Sequence, residues 1–92
     1  MLPLRLTRHV FDMIVERKLE RVWVEQVAAD AQWTEPSKWR HGVVLRFGRV
    51  PAAGGKVLRV TTRDAGGVRV VLTAHFDRKA TQTVRTADAH DI

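Results

Sequence analysis

The sequence predicts an α+β domain in which two N-terminal helices pack on one face of a twisted antiparallel sheet of three to four strands. Apolar residues recur at helical spacing as far as residue 31, and from Gly42 onward the period changes to two. Gly-Gly pairs at 54–55 and 66–67 separate the alternating segments and are typical of hairpin turns. We therefore expect a single α+β domain over residues 1–79.

Thr7 predicts the N-cap of a first helix over residues 8–18. Its apolar stripe comprises Val10, Phe11, Ile14 and Val15. A second helix is predicted from about residue 20 to residue 31, and its inner face comprises Val24, Val27, Ala28 and Ala31. Pro36 ends the helical region, because the residue before a proline is pushed toward an extended conformation.

Residues 41–49, 56–63 and 68–77 alternate as strands of an antiparallel meander. The apolar sets, which we expect to face the helices, are Val43, Leu45 and Phe47 in the first strand, Leu58 and Val60 in the second, and Val68, Val70, Leu72, Ala74 and Phe76 in the third. The opposite face should then carry Arg46, Arg59, Arg69, Thr73 and His75 together. Residues 80–92 show no periodicity and predict a flexible C-terminal tail.

The positive charge is concentrated in the strand region of this 92-residue chain. Residues 1–35 carry a net charge of −1, residues 36–79 carry +8, and residues 80–92 carry −1. Twelve of the sixteen cations are arginine, whose forked side chain suits bidentate contact with phosphate or carboxylate. This distribution favours nucleic acid as a partner, whereas the alternative is a set of solvated arginines that keep the protein in solution.

Several classes of site are excluded or disfavoured by composition. The chain has no cysteine, and its four histidines fit no zinc-binding pattern, so we expect no metal site. Neither GxGxxG nor a P-loop occurs, which disfavours a nucleotide or other small-molecule cofactor. No apolar run approaches the roughly 20 residues that a membrane span needs, and no signal peptide is evident. We therefore expect no membrane contact and a cytoplasmic location.

Cations, a hydroxyl and an imidazole on one face suit an anionic ligand. Metal-free cleavage of RNA needs a base for the 2′-hydroxyl, cations for the charged phosphorane and an acid for the leaving oxygen. His75 is the first candidate for proton transfer, and Arg46, Arg59 and Arg69 are candidate phosphate ligands. The alternative is that the exposed face of the sheet is polar for solubility alone.

Trp33 and Trp39 lie on either side of Pro36 in the segment that connects helices to strands. They either stack on nucleobases or a partner, or close a small apolar core. The sequence leaves both interpretations open.

The run Leu6-Thr7-Arg8-His9-Val10-Phe11-Asp12-Met13, followed by Glu16-Arg17, resembles the opening of a bacterial family catalogued as domain of unknown function 4258. Residues 42–49, 57–61 and 71–78 are similar to the closing strands of that family. The family differs around Asp12 and Met13, and it often has a glycine where Lys18 stands.

The resemblance implies a distant relation to RelE-like and barnase-like ribonucleases, in which paired helices back a twisted antiparallel sheet. Some members look like the toxin of a toxin–antitoxin pair. The positions that match the family are His9, Arg46, Arg59, Thr73 and Arg78. This chain has no tyrosine, which many RelE-like toxins use near the scissile phosphate, so its chemistry would rest on histidine and arginine.

Three functions follow as competing hypotheses. The first is a metal-independent endoribonuclease toxin that uses His75 and His9, binds RNA through Arg46, Arg59, Arg69, Thr73 and Arg78, and is neutralised by an antitoxin protein. The second is a non-catalytic module that holds nucleic acid on the basic face. The third is a surface that docks an acidic protein partner.

Overall fold

The computed structural model describes residues 2–90 and shows a mixed α+β fold. This part of the chain forms three helices and one five-stranded sheet. The elements in chain order are β1 (Leu4–Leu6), α1 (Arg8–Glu16), α2 (Arg21–Ala29), β2 (Trp33–Pro36), β3 (Val43–Val50), β4 (Lys56–Ala65), β5 (Val68–Phe76) and α3 (Arg78–His90). The strand order is β1-β5-β4-β3-β2, with β1 parallel to β5 and all other pairs antiparallel.

The α+β class and the three-stranded meander are thereby confirmed. The predicted two N-terminal helices and three to four strands do not match exactly, because β1 precedes the helix pair, α3 follows β5 and the sheet has five strands. The two additional strands, β1 and β2, form the edges of the sheet and contain only three and four residues. Alternation over so few residues gives a weak sequence signal. β1 is a strand because β5 pairs with it from a distant part of the chain, and β2 is a strand because β3 pairs with it across the loop of residues 37–42.

The first helix begins where the sequence predicts. The Thr7 side chain accepts a hydrogen bond from the backbone N–H of Val10 at 3.2 Å and donates one to the carbonyl of Val71 at 3.0 Å. Thr7 therefore caps α1 and also fixes it to β5. The helix ends at Glu16, and Lys18 then adopts a φ of 54°, the left-handed conformation that glycine usually provides after a helix.

The second helix packs closely on the sheet. Val24, Val27 and Ala28 are buried, as the helical periodicity predicts. A Cβ atom on Gly48 would lie 3.0 Å from Cγ2 of Val27, so the absence of a side chain at Gly48 allows α2 to approach β3. The main core between the helix pair and the sheet comprises Val10, Ile14, Leu19, Val24, Val27, Ala28, Val50, Leu58, Val60, Val71 and Ala74.

The orientation predicted for β3 is wrong. Residues that pair directly across an antiparallel sheet lie on the same face, and Gly48 pairs with Leu58 while Arg46 pairs with Val60. Leu58 and Val60 belong to the core under α1 and α2. Arg46 therefore lies on the helix-pair face, and Val43, Leu45 and Phe47 lie on the opposite face. The apolar set of β3 contributes to a second packed surface rather than to the contact with the helices.

A β-bulge changes the predicted orientation of β5. Thr61 pairs with Thr73, whereas Thr62 pairs with Val71, so Leu72 has no direct partner. Ala74 faces the helix pair as predicted, but before the bulge it is Val71 that is buried there. Arg69, which precedes Val71 by two residues, is consequently on the helix-pair face as well.

The tail predicted for residues 80–92 is a helix as far as His90, and residues 91 and 92 lie outside the described part. Asp77 caps this α3 helix, because its carboxylate accepts a hydrogen bond from the N–H of Ala80 at 2.8 Å. Buried Thr81 accepts a hydrogen bond from the N–H of Val57 at 2.9 Å and donates one to the carbonyl of Asp77. Arg49 ion-pairs with Asp88 at 2.9 Å. None of the helices in residues 2–90 is long and apolar enough to cross a membrane.

The hydroxyl of Thr81 provides a test of how α3 docks. A Thr81→Val substitution keeps the side-chain shape but leaves the buried N–H of Val57 without an acceptor. We expect the free energy of unfolding to fall by about 1–3 kcal/mol in urea denaturation. The control is Thr83→Val on the same helix, since the exposed hydroxyl of Thr83 bonds only to the carbonyl of Lys79. Equal stability losses in the two variants would contradict the docking of α3 through Thr81.

Candidate functional site

The face of the sheet opposite α1 and α2, called the α3 face below, combines aromatic, cationic and hydroxyl side chains. Direct pairing of the strands arranges them in rows across the sheet. One row runs across β2, β3, β4 and β5 through Trp33, Phe47, Arg59 and His75. The next row runs through Glu35, Leu45, Thr61 and Thr73.

A groove with a volume of about 800 Å³ lies on this face between the β2–β3 edge and α3. Its sheet side includes Trp33, Leu45, Phe47 and Arg59. Its other walls come from the loop after β2 and from the first turns of α3, which contributes Lys79. The groove is therefore assembled from four separate chain segments and depends on two elements that the sequence did not predict, β2 and α3.

The floor of the groove is an aromatic stack. The rings of Trp33 and Phe47 are parallel within 4°, with their centroids 5.0 Å apart. Phe47 is buried and Trp33 is half-buried, so Phe47 supports the indole and one part of the indole remains accessible. Because the pairing register places the two residues directly opposite each other, the indole is held in one position.

Trp39 stands on the rim of the groove and is 91% exposed. Its loop, residues 37–42, is ordered by the Ser37 side chain, which accepts hydrogen bonds from the N–H groups of Trp39 and Arg40 at 3.2 and 3.1 Å. The N–H of Ser37 also donates to the carbonyl of Val43 at 2.9 Å. The loop thus presents an almost fully exposed indole between the cations of Lys38 and Arg40, although burial of that side chain would be favourable.

Arg59 joins His75 and Asp77 beside the groove. Its Nε and Nη2 atoms lie 3.2 and 2.6 Å from Nε2 of His75, and its Nη1 atom lies 3.5 Å from the Asp77 carboxylate. A guanidinium can only donate, so Nε2 of His75 is the acceptor. The other ring nitrogen, Nδ1, then carries hydrogen and donates to the carbonyl of Phe76 at 3.1 Å. Arg59 therefore occupies the lone pair that His75 would use as a base.

The predicted site residues divide between the two faces. Arg59, Thr73 and His75 share the α3 face, and Arg78 is exposed at the first position of α3. His9 is exposed on α1, which packs on the opposite side of the sheet. His9 and His75, the two histidines predicted to be catalytic, therefore lie on opposite sides of the sheet.

Arg46 and Arg69 form a separate cluster on the helix-pair face, so the predicted grouping of these arginines with Arg59 is also wrong. Arg69 donates to both oxygens of Asp64, at 2.8 and 3.2 Å, and to the carbonyl of Ala28 at the end of α2. Nε of Arg46 donates to the hydroxyl of Thr62 at 2.9 Å. The bulge in β5 and the register of β3 move both arginines away from the face that simple alternation assigned to them.

The groove residues that the sequence did not predict as site residues include Glu35, Lys38, Phe47 and Lys79. The signal available for α3 was Asp77, a favoured N-cap residue directly after a strand. Among residues 2–90, no group of three or more acidic or histidine side chains is arranged to hold a metal ion. The groove residues can stack on flat rings and pair with anions.

No protein-family model, curated protein or solved structure matches this chain. The resemblance described from the sequence thus stays a prediction.

Acid titration tests the ion pair between Asp64 and Arg69. The hydrogen bond from Arg69 is the main cause that lowers the pKa of Asp64. A carboxyl group with a lowered folded-state pKa adds stability above its unfolded pKa, about 3.9, and loses this contribution as the pH falls through the folded pKa. We expect Asp64→Asn to be less stable than wild type at pH 7, by less than about 1 kcal/mol because the pair is exposed.

The difference in the free energy of unfolding between wild type and Asp64→Asn, measured by urea denaturation, should shrink below about pH 4. The reason is that Asp64 of the wild type becomes protonated there. Asp12→Asn is the control, since Asp12 is exposed on α1 and forms no ion pair with another residue of the described chain. A deficit of Asp64→Asn that persists unchanged to pH 2 would contradict the assignment.

Proposed function

We propose that this chain binds single-stranded RNA in the groove of the α3 face. The observation that carries the proposal is the pair of tryptophans, one stacked on the groove floor and one held almost fully exposed on its rim. Such aromatic surfaces bind unpaired bases, because every base offers a flat π-face for stacking. The bases of a duplex are already stacked and do not offer these faces, which favours single strands.

Cations around the groove supply contacts for the phosphate backbone. Lys38 and Arg40 flank Trp39 in the loop, and Lys79 lies on α3. Asp77 is engaged by the N-terminus of α3 and by Arg59, so its charge is locally compensated. This arrangement supports binding that depends on both stacking and counterion release.

Cleavage of the bound RNA is a second proposal, favoured by the contact between Arg59 and His75 at the groove. A phosphate in the groove would compete for the guanidinium of Arg59, which would free Nε2 of His75 to accept the proton of a 2′-hydroxyl. A helix pair behind a largely antiparallel sheet is also the arrangement that the resemblance to the toxin family implies. The chain would then act in the cytoplasm as a metal-independent endoribonuclease toxin with a cognate antitoxin.

Trp39→Ala tests the binding proposal. Because Trp39 is 91% exposed, its removal should leave the urea midpoint unchanged. Loss of one stacked base costs about 1–3 kcal/mol, so the Kd for a short single-stranded RNA should rise roughly tenfold or more in fluorescence anisotropy. The matched control is Phe11→Ala, which removes an aromatic ring that is 39% exposed on the opposite side of the sheet.

Equal affinities for Trp39→Ala and Phe11→Ala would count against the groove as the RNA site. Absence of any RNA binding by the wild type at low salt would reject the proposal and favour the third hypothesis, a surface for an acidic protein.

Separate substitution of the two histidines tests the cleavage proposal. In the presence of EDTA, His75→Ala should reduce cleavage of a fluorogenic RNA by about 10²-fold or more, as expected for loss of a general base. His9→Ala should cleave like wild type, because α1 lies on the other side of the sheet. Unchanged cleavage by His75→Ala would exclude the base, and RNA binding without cleavage by the wild type would leave a non-catalytic module.

A further inference from the structure

The helix-pair face carries a cluster of charged and hydroxyl side chains that the proposed RNA groove does not use. The Arg46–Arg69 cluster consists of Arg46 on β3, Thr62 and Asp64 on β4, and Arg69 on β5. It lies beside the C-terminal end of α2, where Arg69 contacts the carbonyl of Ala28 at 3.0 Å. Two guanidinium groups and one carboxylate leave a net charge of +1.

The guanidinium of Arg46 is fixed in direction. Its Nε donates to the hydroxyl of Thr62 at 2.9 Å, and that hydroxyl in turn donates to the carbonyl of Val44. Thr62 is only 1% exposed, so it is an immobile anchor. No residue in the described part of the chain accepts a hydrogen bond from Nη1 or Nη2 of Arg46. The outer edge of a pre-oriented fork is therefore available to a ligand.

Arg69 has unused donors on the same face as Arg46, because Arg46 bonds to Thr62 and Arg69 bonds to Asp64, two residues further along β4. Its Nε and Nη2 each donate one hydrogen bond to the Asp64 carboxylate, and its Nη1 donates one to the carbonyl of Ala28. Within the described chain, Nη1 and Nη2 each carry a second N–H, which is free to bind a ligand. Burial is the main cause that lowers the pKa of Arg46, and the nearby positive charge of Arg69 lowers it further. A bound anion would relieve this repulsion, which the single charge of Asp64 only partly offsets.

We propose that the Arg46–Arg69 cluster binds a phosphate group, held by the terminal nitrogens of Arg46 and the remaining N–H groups of Arg69. The donors come from two separate guanidinium groups, on the two strands that flank β4. A planar carboxylate fits the fork of one arginine, as Asp64 does on Arg69. A tetrahedral phosphate has additional oxygens for the second arginine.

This site is independent of the RNA groove, because the sheet lies between them. The phosphate could belong to a small free phosphate compound or to the 5′ end of a nucleic acid, and both present the same chemistry to the two arginines. The experiment therefore uses inorganic phosphate in one arm. The other arm compares a 5′-phosphorylated oligonucleotide with the same oligonucleotide bearing a 5′-hydroxyl.

Amide chemical shifts of the ¹⁵N-labelled full chain report the binding, at constant ionic strength. Inorganic phosphate should shift the amides of residues 46, 62, 64 and 69 in a saturable way. Arg46→Gln should weaken this binding at least about tenfold, since it removes a charged bidentate contact. The matched control is Arg63→Gln, which changes the net charge equally on the same sheet but at an exposed side chain on the α3 face.

Arg46→Lys provides a second variant that keeps the positive charge if Arg46→Gln does not fold. It should also bind phosphate several-fold more weakly than wild type, because lysine lacks the fork. Equal binding by wild type and Arg46→Lys, or equal loss in Arg46→Gln and Arg63→Gln, would overturn the proposal. So would the absence of saturable shifts at the cluster.

The two arms then identify the source of the phosphate. Shifts at the cluster that need the 5′-phosphate of the oligonucleotide indicate a nucleic-acid end. Shifts with inorganic phosphate alone indicate a small phosphate compound. Either result supports the site, and neither depends on whether Trp39 binds RNA.

Discussion

Direct pairing of Phe47 with Arg59, and of Arg59 with His75, is the constraint on which the α3 face depends. This register places the aromatic stack of β2 and β3 in line with the cation and imidazole of β4 and β5. It also leaves Gly48 facing α2, so that the helix pair can approach β3 closely. A shift of β3 by one residue would place Phe47 instead of Gly48 under α2, where even a Cβ atom would lie 3.0 Å from Val27, which makes the register energetically well defined.

Asp77 connects the fold to the candidate site. Its carboxylate caps α3 and lies 3.5 Å from a terminal nitrogen of Arg59. The same helix is fixed to the sheet by the hydroxyl of Thr81, and it supplies one wall of the groove. Loss of α3 docking would therefore open the groove and change the surroundings of Arg59 at the same time. The start of this helix and the position of Arg59 beside the groove are linked through one side chain.

The two faces of the sheet differ in what their cations can do. On the α3 face, Arg59 is already bonded to His75 and the accessible surface is aromatic, which favours bases as ligands. On the helix-pair face, Arg46 is held by a buried hydroxyl and its terminal nitrogens have no acceptor in the described chain, which favours an isolated anion. The excess of positive charge in residues 36–79 is thus divided between two surfaces and does not form one continuous basic face.

The sequence by itself determined the features that rest on local physics: the cap at Thr7, the buried stripe of α2 and the Gly-Gly turns. Only the tertiary structure decided which face each strand presents, because one unpaired residue, Leu72, reverses the alternation along β5. It also decided the existence of β1 and β2, whose few residues are strands only because β5 and β3 pair with them. The candidate site depends on both features. Trp33 lies on β2, and the pairing register of β3 with β4 places Arg46 and Arg59 on opposite faces of the sheet.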